Sequence, residues 1–234
     1  MYINNPKFRE AWLAQVLSEL EPGSKILDVG AGECAHKQYC QHLNYVSQDV
    51  AEYDGAGNGA GLHTTEWDTS SIDIVCDLYD LEPDASYDVV LCSEVLEHVV
   101  DAAKGIEILC GLLKPGGKLI LTAPFISHTH FAPHHHATGF SRYFYEHHLQ
   151  KAGFEILEMT PNGGYFDVIR QEIKRVKVVH KQYKGRSAPL LHQFIFLLAG
   201  RLLLKYANND GPRGQRESAE LLTCGWHVQA RKTA

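Results

Sequence analysis

The 234-residue chain has no surplus of positive charge: 22 Lys and Arg stand against 28 Asp and Glu, a net charge of -6. Neutralising a run of phosphates needs such a surplus on the binding face, so no nucleic-acid partner is expected. The chain also lacks a stretch of about 18 unbroken apolar residues, so no membrane span is expected. Its start, MYINNPKFRE, lacks the basic-then-apolar order of a signal peptide. The six cysteines never stand as CxxC, and Cys76, Cys92 and Cys110 sit inside apolar runs. That usage fits reduced thiols and excludes a disulfide framework or a paired-cysteine zinc site. Together these absences predict a cytoplasmic globular protein.

What is present is an alternation of short Val-, Ile- and Leu-rich runs with helical patterns, the form taken by a parallel sheet covered on both faces. A helix is expected over 6–20, stopped by Pro22-Gly23, followed by a strand at Lys25–Val29 (KILDV). Further strands are expected at Tyr45–Asp49, Ile72–Cys76, Tyr87–Cys92, Lys118–Thr122, Phe154–Met159 and Leu222–Ala230. Helices are expected over Ala35–Leu43, about Arg142 to Lys151, 165–184 and 189–206. This predicts an α/β, Rossmann-like seven-stranded sheet with helices on both faces and a helical insertion before the last strand. The whole chain reads as one domain, with a core over 24–160 and 219–232 and the insertion at about 161–218.

The first chemical signal is the turn Asp28-Val29-Gly30-Ala31-Gly32, which lets a backbone approach a ligand closely. The dinucleotide fingerprint G-x-G-x-x-G is incomplete, because Ala35 stands where its third glycine belongs. Asp49 ends the second strand at the spacing where a carboxylate reaches ribose hydroxyls. Asp77 ends the third, where it can accept a hydrogen bond from an adenine amino group, with Leu78 beside the ring.

The segments ILDVGAGE, SQDV, CDL, SYDVVLCSEVLEHV and LLKPGGKLILTAP resemble the class I S-adenosylmethionine-dependent methyltransferases, in particular the type 11 group. The likeness runs from about Lys25 to Met159 and returns in LTCGWHVQARK. It implies a seven-stranded sheet with an antiparallel last strand and S-adenosylmethionine as cofactor. By position it implies that Asp28, Gly30, Ala31 and Gly32 line the methionine side, Asp49 and Val50 the ribose, and Asp77 and Leu78 the adenine. Cys92 and Ser93 are then expected near the sulfonium. Cys34 departs from the pattern, since many relatives carry a third glycine there.

Methyl transfer from a sulfonium is an in-line displacement in which the enzyme positions, excludes water and, for a hydroxyl acceptor, removes a proton. Two segments can supply the base. If Glu94-Val95-Leu96-Glu97-His98 opens a helix, Glu94, Glu97 and His98 share one face. That set can hold Mg²⁺ or a similar ion together with a further histidine. It resembles the metal-binding E-x-x-E-H of small-RNA 2′-O-methyltransferases and ubiquinone-pathway O-methyltransferases, and it also occurs in type 11 enzymes where it only shapes the pocket. The second segment, PFISHTHFAPHHHATGFSRYFYEHH, follows the fifth strand and crowds His128, His130, His134, His135 and His136 among aromatics. His98, His130 and His134 are candidate catalytic groups, since imidazole titrates near neutrality. Arg142 and Tyr143 match an R-Y of related sequences and are candidate acceptor-side residues.

The insertion pairs a basic helix (Arg170, Lys174, Arg175, Lys177, Lys181, Lys184) with an apolar one (Phe194, Ile195, Leu197, Leu198, Leu202, Leu203). Packing on the sheet, a lid, a homodimer face and peripheral membrane contact are the roles such a pair can fill. The leading functional expectation is O-methylation of a small-molecule or glycan-type hydroxyl. The alternatives are a lipid or quinone methyltransferase and a non-catalytic S-adenosylmethionine-binding module.

Overall fold

The computed structural model describes residues 5–64 and 66–233. Its strands are β1 (Lys25–Val29), β2 (Asn44–Asp49), β3 (Ile74–Val75), β4 (Tyr87–Ser93), β5 (Leu113–Pro124), β6 (Phe154–Pro161) and β7 (Gly225–Lys232). They form one sheet in the order β3-β2-β1-β4-β5-β7-β6. β1 pairs in parallel with β2 and β4, β2 with β3, and β4 with β5. β7 runs against β6: the Thr233 N–H reaches the Gly153 carbonyl, while the Asn162 N–H reaches that of Gly225. The strand order reverses between β1 and β4, and ligands of such sheets bind outside the carboxyl ends of the strands at that reversal.

Alternation along the strands divides the core between the two faces. Ile26, Val89, Leu91 and Ile120 pack with Leu13, Val16 and Leu17 of α1 (Asn5–Ser18). Leu27, Val90, Leu119 and Leu121 pack with Ile106 and Leu109 of α2 (Ala102–Leu112) and Tyr145 and Leu149 of α3 (Arg142–Lys151). Each such side chain removed from water contributes about 1.5–3 kcal/mol. The helices on the second face are started by side chains. Asp101 accepts from the Lys104 N–H at 3.0 Å, and Ser141 from that of Phe144 at 3.4 Å.

The chain divides into two compact units, one of residues 9–159 with 226 onward, the other of the residues up to 8 with 160–225. In the second, α4 (Tyr165–Lys184) and α5 (Leu190–Asn209) pack on each other. Gly185, at φ 64, ends α4 in the left-handed conformation. Buried Asp167 accepts from the Gly164 N–H at 3.1 Å and pairs with Arg213 and Arg216, each at 3.1 Å.

Several local expectations change. The helix expected over Ala35–Leu43 is one 3₁₀ turn, Ala35–Tyr39, because Cys34 is left-handed (φ 55) and offers no side-chain cap. β3 is only two residues long. Next to it Asp73 accepts the Ser47 N–H at 2.9 Å with its side chain, in place of a backbone ladder bond. The last strand starts at Gly225, later than expected, because 217–220 form a 3₁₀ turn at Asp210, which accepts the Ser218 N–H at 3.1 Å. α5, at 20 residues, is long and apolar enough to cross a membrane by length and composition, despite His192, Gly200 and Arg201.

Candidate active site

β1 delivers the chain into the turn at Gly30–Gly32, where both glycines have positive φ (67° and 55°). A Cβ on Gly30 would lie 2.4 Å from Val95 Cγ2, and one on Gly32 would lie 2.5 Å from Trp67 Cζ2. Both the conformation and the space therefore require glycine. Asp49, at the end of β2, braces the turn. Its Oδ2 accepts the Gly32 N–H at 2.9 Å and its Oδ1 the Ala51 N–H at 2.8 Å. A carboxylate has about four acceptor positions, so two remain for a ligand.

Asp28 lies beneath the turn, 1% exposed, and accepts the Tyr45 hydroxyl at 2.7 Å; His36 Nδ1 stands 3.6 Å away. Burial alone would disfavour the charged imidazole. The facing Asp28 and Glu10 carboxylates outweigh it and raise the His36 pKa to about 9. Asp77 starts a 3₁₀ turn, accepting the Tyr79 N–H at 2.8 Å, with Leu78 buried behind it; Val50 is more than one-third exposed. Cys92 pairs with Val29 at the end of β1, and its side chain is fully buried in the core, which pushes the thiol pKa up. Ser93 hydrogen-bonds Thr122 at 2.9 Å.

The acidic segment does not form an α-helix. Glu94 is left-handed (φ 57), and a 3₁₀ turn covers only Leu96–His98. Glu94 therefore leaves the face it was expected to share with Glu97 and His98. Instead it pairs with Arg9 at 2.5 Å and accepts from Thr122 at 3.1 Å. Glu97 is fully buried, and neither carboxylate oxygen has a hydrogen-bond partner among the described residues. Burial, followed by repulsion from Glu94, pushes its pKa well above the usual carboxylate range.

The loop after β5 folds onto the glycine-rich loop after β2. The Leu62 N–H donates to Thr129 O at 3.0 Å, the Phe131 N–H to Leu62 O at 3.1 Å, and the Asn58 N–H to Ala132 O at 3.0 Å. An aromatic wall results. Tyr53 stacks on Phe131 at 4.3 Å between centroids, and Trp67 meets Phe131 edge-on at 5.2 Å. His98 stacks on Phe131 at 5.4 Å and meets His130 at 4.6 Å; His130 lies 4.9 Å from His135. His98 Nδ1 donates to the His134 carbonyl and His130 Nδ1 to that of His128 at 2.8 Å, leaving each Nε2 with its lone pair. Burial lowers the His98 pKa to about 4, so its ring is neutral. One ligand atom each from Glu97, His98 and His130 lie within 4.8 Å of one another.

Of the remaining candidates, His134 contributes its carbonyl to His98. The Arg142 guanidinium pairs with Glu146 one turn along α3 at 2.9 Å, and Tyr143 is 68% exposed. Sequence reasoning passed over Tyr53, Trp67, Arg9 and Thr122. A tryptophan in an otherwise polar, glycine-rich loop was the one available signal.

Residues 4–159 match the family model described as a methyltransferase domain. The chain belongs to this methyltransferase family. Its sheet and glycine turn are those of the class I S-adenosylmethionine-dependent methyltransferases. It is 34% identical over 126 residues to a ubiquinone biosynthesis O-methyltransferase of Leptothrix cholodnii, covering 50% of this chain and 51% of that protein. It is 35% identical over 113 residues to the protein of the same name from Xanthomonas axonopodis pv. citri, covering 47% of each. The chain thus spans about half the length of the curated relatives it matches. A putative sarcosine dimethylglycine methyltransferase of Galdieria sulphuraria superposes with a TM-score of 0.56 at 17% identity, over 97% of this chain and 86% of that one. At that identity the likeness concerns the fold.

Proposed function

We propose that this methyltransferase moves the methyl group of S-adenosylmethionine to a hydroxyl on a planar, ring-bearing small molecule of the quinol or phenol class. The observation that carries the reading is the aromatic wall of Tyr53, Trp67 and Phe131 beside the Gly30–Gly32 turn, with Glu97, His98 and His130 at its edge. A glycan hydroxyl would make less use of three ring faces than a flat acceptor does. The names of the curated relatives support the same choice.

When bound, S-adenosylmethionine supplies a methyl group already activated on a sulfonium. The donor set fits it: Gly30, Ala31 and Gly32 present backbone to the methionine portion, and the free acceptor positions of Asp49 suit ribose hydroxyls. Asp77 and Leu78 take the adenine, and Asp28 acts from beneath by fixing Tyr45 and His36. The aromatic wall excludes water and holds the acceptor ring in line. His130 would take the proton leaving the acceptor hydroxyl.

A second reading follows from the tautomers. Two imidazoles fixed through Nδ1 and a buried carboxylate form a ligand set for a divalent cation, with Glu97, His98 and His130 as ligands in place of the trio with Glu94. Such an ion would acidify the acceptor hydroxyl. Metal analysis of the purified protein and activity after chelation separate the two readings.

The test of the function is a methyl-transfer assay on quinol, phenol and glycan acceptors, read by product mass. Transfer to the ring hydroxyls is expected, and His130→Ala should lower kcat roughly 10²–10⁴-fold without changing cofactor affinity. Bound cofactor with transfer to none of these acceptors would instead mark a non-catalytic binding module.

A further inference from the structure

We propose that the α4–α5 hairpin is a docking surface for an anionic lipid bilayer. Residues 165–209 hold nine Lys and Arg against two Asp and Glu, in a chain whose net charge is -6. The positive charge is therefore concentrated on this hairpin. Both of its acidic groups are already engaged, Asp167 by Arg213 and Arg216, and Glu172 by Arg175 at 3.2 Å.

The same surface is apolar. α5 buries only Gly200 and Ala207. Near the turn between the helices, Val178, Tyr183, Leu190, Leu191 and Phe194 are all more than half exposed. Lys181, Lys184 and Arg186 are exposed among them. Lys177, Lys181 and Gln193 line a groove of about 610 Å³ at that turn. Aliphatic and aromatic side chains flanked by long basic ones suit the boundary between headgroups and acyl chains. There the hydrocarbon enters the bilayer while the ammonium groups stay with the phosphates.

A second copy of the chain is the other candidate occupant, and it fits less well. A two-fold pairing would set two basic hairpins against each other with no free carboxylate on either to compensate. An anionic bilayer meets both demands, for apolar surface and for negative charge.

Vesicle co-sedimentation of the full chain tests the proposal, comparing phosphatidylcholine alone with a phosphatidylcholine–phosphatidylglycerol mixture. Binding is expected only to the anionic vesicles and should fall with added salt. Lys177→Gln, Lys181→Gln and Lys184→Gln together should weaken it about a hundredfold. Leu191→Ser with Phe194→Ser should weaken it as well, with circular dichroism unchanged for both variants. The proposal is overturned by equal binding to neutral vesicles, by no binding, or by a triple variant that binds like the parent. It is equally overturned if light scattering finds a dimer that Phe194→Ser splits and that anionic vesicles leave intact.

Discussion

The Asp49 carboxylate accepts the Gly32 N–H at 2.9 Å, so the acid at the end of β2 is tied to the glycine turn that ends β1. One side chain thereby sets the shape of the turn and keeps acceptor capacity for a ligand. It links the carboxyl ends of β1 and β2, next to the reversal between β1 and β4.

Asp49→Ala removes both roles. A hydrogen bond to a charged group contributes about 1.5–3 kcal/mol, so affinity for S-adenosylmethionine should fall at least about tenfold in a calorimetric titration. Asp49→Asn keeps the brace to Gly32 through its carbonyl oxygen and should lose less. Equal affinity in all three proteins would remove Asp49 from the cofactor site.

Trp67 stands against Gly32, while the other two tryptophans lie elsewhere: Trp12 stacks on His227, and Trp226 is buried in the core. Cofactor binding at the turn should therefore change the emission of Trp67 alone. Titration should alter the fluorescence of the parent protein, and Trp67→Phe should abolish that change while still binding in calorimetry. A change that survives in Trp67→Phe would put the cofactor away from this turn.

His36 gives the fold a pH dependence above neutrality. Its pKa rises from about 6.5 in the unfolded chain to about 9 in the fold, so folding favours the protonated ring. The stabilisation is complete below pH 6.5 and is lost as the pH rises through 9. It amounts to at most roughly 3 kcal/mol. Urea midpoints of the parent should fall over that interval, and His36→Gln should show a shallower fall together with lower stability at pH 6.5. Parallel curves for the two proteins would assign the ion pair no energetic role.

Much of this architecture is legible in the chain because its signals are local. KILDV is a strand because alternate residues serve opposite faces, Ile26 on one core and Leu27 on the other. α4 matches its expected span because Gly185 can take the left-handed stop. The glycine turn is legible for a similar reason, since the space at Gly30 and Gly32 admits nothing larger. Other features depend on distant parts of the chain. Glu94 leaves its helical face through a positive φ that an acidic residue does not advertise, held by Arg9 from the far end of the sequence. The aromatic wall exists because two loops after different strands exchange backbone hydrogen bonds. Neither loop carries a periodicity that reveals its partner.

The most direct test of the central claim is calorimetric titration of the purified chain with S-adenosylmethionine and S-adenosylhomocysteine. The account predicts saturable one-site binding of both, weakened by Asp49→Ala. Failure of the folded protein to bind either compound would contradict it and leave the Gly30–Gly32 turn a structural element only.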